Sequence, residues 1–240
     1  YRLMHELKLR HPGLEIESCS SGCSRIDYGV LENTDRVWAS DCLDPIARVS
    51  IVAGVSTLLP FELIGAHVAS ARSHTTGRAH DLALRLAVAL FGHSGFEWDL
   101  TTTSSGERAD LRRWVEFAKS VRPLVHAGEL VRVDRPADDG ITLYGVVAAG
   151  RHEALFNVVR VRTSARYGAA PLVFPGLEPH SRYRVERVAL PGERPPAHGQ
   201  RISPTIDDTV AWGSVLSKAG IDAPALLPEQ AALYHLRALT

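Results

Sequence analysis

Two clusters between Glu17 and Arg48 hold residue types that do chemistry. One is a small polar loop, Cys19-Ser20-Ser21-Gly22-Cys23-Ser24-Arg25. The other is a carboxylate, Asp41, directly after the short apolar run Val37-Trp38-Ala39-Ser40. Glycine and serine let backbone amides approach a ligand closely, and the hydroxyls both donate and accept hydrogen bonds, so such a loop suits a polyhydroxylated ligand. The carboxylate adds a group able to move a proton.

Both clusters must be positioned by strands. Leu14-Glu15-Ile16-Glu17-Ser18 alternates apolar and polar residues, as does Val37-Trp38-Ala39-Ser40, and each reads as a strand. Polar residues at the C-terminal ends of barrel strands line the active site of a β/α barrel. Asp41 and the loop from Cys19 to Ser24 would then face one pocket.

The remaining pattern supplies the supports. A helix over Arg2 to Leu9 stops at His11-Pro12-Gly13. Asp44-Pro45 opens the next helix as N-cap and first helical residue, which gives Asp44 a structural role in preference to a ligand contact. Gly65-Ala66-His67-Val68-Ala69 is expected as the last barrel strand. Arg78 to Phe91 should be a helix stopped by Gly92, and Glu107 to Val121 another, with Leu111, Trp114, Val115 and Ala118 on its buried face.

From Glu129 the pattern turns to β. Strands are expected at Leu130 to Val133, Ile141 to Ala149, Glu153 to Val161, Tyr183 to Val188 and Ala231 to Arg237, with a long surface loop from Pro191 to Pro204. The aromatic residues Tyr144, Phe156, Tyr167 and Tyr183 fit a core better than a sugar platform. The pattern divides near residue 128, with strands and helices alternating before it and an antiparallel β-sandwich expected over residues 129–240.

Composition excludes some classes. The 240 residues carry zero formal net charge, so nothing points to nucleic acid or an anionic membrane. No apolar run approaches the roughly 20 residues that span a bilayer. The three cysteines, Cys19, Cys23 and Cys42, are odd in number, against a disulfide framework. His67, His74, His80 and His93 match no zinc spacing, so neither a metal site nor a cofactor is expected.

Six motifs in order resemble the α-galactosidases, or melibiases, of glycoside hydrolase family 36. They are Cys19-Ser20-Ser21-Gly22 with Arg25-x-Asp27-x-Gly29; Trp38-x-Ser40-Asp41-x-x-Asp44-x-x-x-Arg48; Phe61-Glu62-Leu63-x-Gly65-Ala66-His67-Val68; Ser73-His74-Thr75-Thr76-Gly77-Arg78; Ala89-Leu90-Phe91-Gly92-His93; and Gly95-x-Glu97-Trp98-Asp99-Leu100. The resemblance covers about the first 125 residues and continues more weakly beyond.

What it implies is a retaining hydrolase that removes terminal α-linked galactose from melibiose or raffinose-type oligosaccharides by double displacement. Asp41 matches the family's acid/base. Cys19, Ser20, Ser21 and Gly22 match its galactose loop, with Trp38 as a further substrate residue. The loop departs from the family where Cys23 and Ser24 replace further glycines. Retention needs two carboxyl groups about 5 to 5.5 Å apart, one as nucleophile and one as acid/base. The family's nucleophile lies in a Lys-Trp-Asp-type motif on an earlier strand, and none precedes Cys19. Trp98-Asp99 belongs to the last motif and is not promoted to that role. The chain is therefore expected to be the C-terminal part of such an enzyme and inactive alone, with residues 1–128 the C-terminal part of its (β/α)8 TIM barrel and residues 129–240 its accessory β-sandwich. A cytoplasmic location is expected, and a homo-oligomer is left open as the assembly of the whole enzyme. The alternatives left open are a galactosyl transferase, another α-glycosidase of the superfamily, or a non-catalytic carbohydrate-binding fragment.

Overall fold

The computed structural model describes residues 1–22, 24–164, 169–193 and 208–239. Cys23, Tyr167 and most of the expected Pro191 to Pro204 loop lie outside the described residues. The chain divides into two compact units, Tyr1–Ala79 with Ala89–Asp99, and His80–Val88 with Leu100–Thr240.

The first unit is built on short parallel strands. After helix α1 (Arg2–Arg10) come β1 (Glu17–Ser18), the single-turn helix α2 (Tyr28–Leu31), β2 (Arg36–Val37), helix α3 (Pro45–Val55), β3 (Gly65–Ala69) and β4 (His93–Glu97); helix α4 (Leu82–Ala89), between β3 and β4 in the chain, falls to the second unit up to Val88. β1 pairs parallel with β2, Val37 bridges parallel to Ile64, and β3 pairs parallel with β4, so four segments lie side by side in chain order. Gly65–Ala69 is thus not the last parallel strand. β4 was missed because His93-Ser94-Gly95-Phe96-Glu97 has neither an apolar run nor clean alternation, and the strand is largely exposed. Val30, Val37, Ile64, Val68 and Phe91 are essentially inaccessible and form the interior of this unit.

β1 is shorter than its alternation suggests, for a local reason. The Leu14 amide donates to the His11 carbonyl at 3.0 Å, and the Ile16 amide to Asp35 Oδ2 at 2.7 Å, so the ladder begins only at Glu17. α3 opens as expected, with Asp44 accepting from the amides of Ile46 and Ala47 at 2.9 and 3.2 Å and Pro45 in the first turn. α4 begins four residues later than expected, at Leu82, where Asp81 Oδ1 accepts from the Leu84 amide at 2.9 Å.

The second unit holds a six-stranded antiparallel sheet of β5 (Glu129–Val133), β6 (Ile141–Val147), β7 (Glu153–Arg160), β8 (Arg182–Val188), β9 (Asp208–Trp212) and β10 (Gln230–Ala238). The order is β5-β6-β7-β10-β8-β9. β9 and helix α6 (Gly213–Lys218) were not anticipated. One face buries Leu143, Phe156, Val158, Tyr183 and Tyr234 against Leu172, Phe174, Leu216 and Ile221, an arrangement that fits a β-sandwich. Each such side chain contributes about 1.5–3 kcal/mol on burial. Tyr144, Phe156 and Tyr183 are core residues, as expected. On the other face Asn157, fully buried, donates to the Ala87 carbonyl at 3.0 Å and the Tyr144 hydroxyl at 2.8 Å.

Helix α5 (Ser105–Ala127) starts with a capping box between Ser104 and Glu107. It runs through Pro123 to Ala127, past the expected end at Val121. Val121, Leu124 and Val125 bury their side chains there, and that burial outweighs the lost amide donor.

Candidate active site

The parallel strands of the first unit end in the residues singled out from sequence. The chain leaves β1 through Cys19, Ser20, Ser21 and Gly22, and leaves β2 through Trp38, Ala39, Ser40 and Asp41. Among the described residues, three bonds hold the loop after β1: the Ser24 amide to the Ser20 carbonyl at 3.0 Å, Arg25 Nη1 to the Cys19 carbonyl at 3.0 Å, and Ser18 Oγ to the Arg25 carbonyl at 3.1 Å. Ser21 and Gly22 are both left-handed, with φ of 49° and 65°. Glycine adopts this conformation without strain, and serine at a cost that the loop's bonds must offset.

Gly22 also joins the loop to the carboxylate. A Cβ built there would lie 2.7 Å from the Asp41 amide nitrogen and 2.8 Å from Ser40 Cα. Only a residue without a side chain allows this approach. The loop and the acid/base candidate are therefore backbone neighbours, as expected from their places at adjacent strand ends.

Asp41 itself is exposed, and Trp38 Nε1 donates to its Oδ1 at 3.2 Å. Trp38 is buried, packed with Leu43 and Ala69. Its ring is stacked on His67 with centroids 4.2 Å apart and planes inclined by 24°, and the Arg48 guanidinium lies 4.6 Å from the ring centroid. Arg48 donates to the carbonyls of Ser40 at 3.1 Å and Gly65 at 2.7 Å. Burial pulls its pKa below the ordinary arginine value, opposed by Cys42, Glu97 and Glu17, and the group stays charged. His67 Nδ1 in turn lies 2.8 Å from Glu97 Oε2. His67, Arg48 and Glu97 thus surround the residue that holds Asp41. From sequence, His67 reads as a structural hydrogen-bonding residue in preference to a lining of the pocket mouth, whereas Arg48 and Glu97 carry no role of their own although each falls inside a motif quoted above.

Asp44 is fully buried. Besides capping α3, its Oδ2 accepts from the Thr76 hydroxyl and from Arg78 Nε at 2.7 Å, which ties down the loop after β3. Cys42 Sγ contacts Thr75 Oγ1 of the same loop at 3.2 Å. Among the described residues no group of three or more His, Cys, Asp or Glu side chains could hold a metal ion, and no helix is long and apolar enough to cross a membrane.

Comparison with known proteins accords with this geometry. Residues 1–128 match the family described as Melibiase, and residues 141–236 match the glycosyl hydrolase family 36 C-terminal domain. The chain is 40% identical over 243 residues to the α-galactosidase of Escherichia coli, covering 98% of this chain and 34% of that protein. It is 34% identical over 192 residues to α-galactosidase AgaA of Geobacillus stearothermophilus, covering 80% of this chain and 26% of that one. Among solved structures, the Lactobacillus brevis α-galactosidase superposes with a TM-score of 0.87 at 27% identity, over 100% of this chain and 31% of that chain. AgaA in complex with raffinose superposes with a TM-score of 0.85 at 30% identity, again over 100% and 31%. The chain spans about a third of the length of the E. coli relative. With these matches running from its first residues to its last strand, the chain belongs to the melibiase family, glycoside hydrolase family 36.

Proposed function

We propose that this chain supplies the acid/base half of a retaining α-galactosidase active site and that the complete enzyme cleaves terminal α-linked galactose from raffinose-type oligosaccharides. Asp41 protonates the leaving oxygen, then deprotonates the water that releases the covalent intermediate. Cys19, Ser20, Ser21 and Gly22 hold the galactose, with Trp38 closing the floor beneath Asp41. The nucleophile is contributed by protein outside these 240 residues. The division into a barrel portion, 1–128, and an accessory β domain, 129–240, belongs to the same proposal.

The observation that carries the reading is the junction of the two loops. The Gly22 turn packs directly on the Asp41 backbone, and the carboxylate is held by an indole rather than by a competing cation. An exposed carboxylate beside a hydroxyl-rich loop is suited to exchange protons with a bound sugar. The solved complex of an AgaA variant with raffinose supports the substrate class. The partial-barrel reading is supported by β1 and β4, each of which has a strand neighbour on only one side among the described residues, an edge that parallel β/α folds normally cover.

The test is hydrolysis of a chromogenic α-galactoside by the full-length enzyme beside its Asp41→Ala variant. The variant should lose about 10²–10⁴-fold in turnover, the contribution expected of general acid–base catalysis. Azide, which needs no base to attack the intermediate, should restore part of the activity. Turnover unchanged by the substitution refutes the assignment of Asp41.

A further inference from the structure

We propose that His67 and Glu97 form a positioning pair that holds the Trp38 indole and, through it, the Asp41 carboxylate; the inference rests on Asp41 being the acid/base. An acid/base must keep one oxygen aimed at the leaving group through two proton transfers, yet Asp41 stands exposed at a loop. The side chain that orients it is Trp38, through the 3.2 Å bond from Nε1 to Oδ1. Any tilt of the indole moves that bond.

Three contacts set the tilt. Gly65 leaves room for the benzo edge, since a Cβ there would come to 3.0 Å from Trp38 Cε3. Arg48 is fixed over the ring by the carbonyls of Ser40 and Gly65. His67 stacks on the ring and is fixed by Glu97. Strand register explains how that last pair forms. His67 lies opposite Gly95, and Glu97 opposite Ala69, so the His67–Glu97 bond runs diagonally across the ladder. A side chain at position 95 would obstruct it, since a Cβ there would lie 3.2 Å from His67 Cδ2. The glycine lets the imidazole lean toward the carboxylate, and the bond at Nδ1 then fixes the plane that the ring presents to Trp38.

The plain alternative is a cross-strand staple. Glu97, half exposed, and His67, a quarter exposed, make a pair of the kind that contributes little to stability. The two readings differ in what they do to the chemistry. Leaving-group protonation matters for melibiose and little for 2,4-dinitrophenyl α-galactoside, whose leaving group departs as a stable anion.

The experiment compares kcat/KM on these two substrates for full-length enzyme carrying Glu97→Ala, Glu97→Gln or Asp41→Ala. Glu97→Ala should lose about tenfold on melibiose, a fraction of the whole acid–base contribution, and stay within about twofold on the dinitrophenyl substrate. Glu97→Gln keeps an oxygen to accept from His67 and should stay within about threefold on both. Equal losses on the two substrates, or no loss with Glu97→Ala, overturn the positioning role. An Asp41→Ala variant without the leaving-group-dependent loss removes instead the acid/base reading beneath it.

Discussion

Replacing Gly22 with alanine separates two costs that the structure keeps apart. The backbone there has φ +65°, and its Cβ would fall 2.7 Å from the Asp41 amide nitrogen. The left-handed conformation costs an L-residue about 1–2 kcal/mol. Ordinary contact begins at 3.4 Å, so the two loops must part by about 0.7 Å (3.4 minus 2.7) before the methyl fits. Overpacking of that kind adds about 1–3 kcal/mol, and a displacement of about 1 Å at reacting groups can cost roughly a hundredfold in rate. Gly22→Ala should therefore lower kcat/KM on an α-galactoside by about 30- to 100-fold in the full-length enzyme. Gly77→Ala is the control: its φ is +72° and nothing lies within 4 Å of the new methyl. It carries the conformational cost alone, about 1–2 kcal/mol in urea unfolding, with kcat/KM within about twofold. If both variants lose activity equally, or if Gly22→Ala keeps more than about a third of it, the close approach of the Gly22 turn to the Asp41 backbone has no functional consequence.

Two further predictions concern stability. Burial raises the Asp35 pKa, but the bonds from Lys8 Nζ and the Ile16 amide outweigh it and hold the carboxyl below its ordinary value. A depressed folded-state pKa means that its stabilisation is fully present above the unfolded value, about 3.9, and is lost as pH falls through the lower folded one. Lys8→Met should shrink the drop in urea midpoint between neutral and acid pH, and an identical drop in wild type and variant refutes the coupling. Asn157→Leu removes two buried bonds and should cost about 1–3 kcal/mol in equilibrium unfolding. A change below about 0.5 kcal/mol would mean that the Ala87 carbonyl and Tyr144 hydroxyl find other partners at no cost.

What could be read from sequence was what local chemistry decides. Asp44-Pro45 is a local device and opens α3 as its residue types imply; the Ser104–Glu107 capping box is equally local, although from sequence only a Ser/Thr-rich linker able to cap the helix is evident. Elements decided by distant partners were misjudged. β1 lost its first residues to Asp35, nineteen positions away from Ile16, and α5 passed through Pro123 because its last turns are buried. β4 has almost no apolar pattern of its own and is defined by its pairing with β3. Within the candidate site, Asp41 and the Gly22 loop could be placed at strand ends from alternation alone. The placing of Arg48 and His67 against Trp38, with Glu97 behind His67, could not, since it depends on strand register and on a diagonal reach for which Gly95 leaves room.

Asp44 has a practical consequence for anyone who wishes to remodel the loop that follows β3. One inaccessible carboxylate serves the first turn of α3 and also Thr76 and Arg78. A mutagenesis library that diversified the whole segment from Ser70 to Arg78 would therefore strain the scaffold, and most of its members would be lost to misfolding. Variation confined to exposed positions at the tip, such as Ala71 and His74, leaves those anchors intact. The usable sequence space of the loop is set less by its length than by where it is moored.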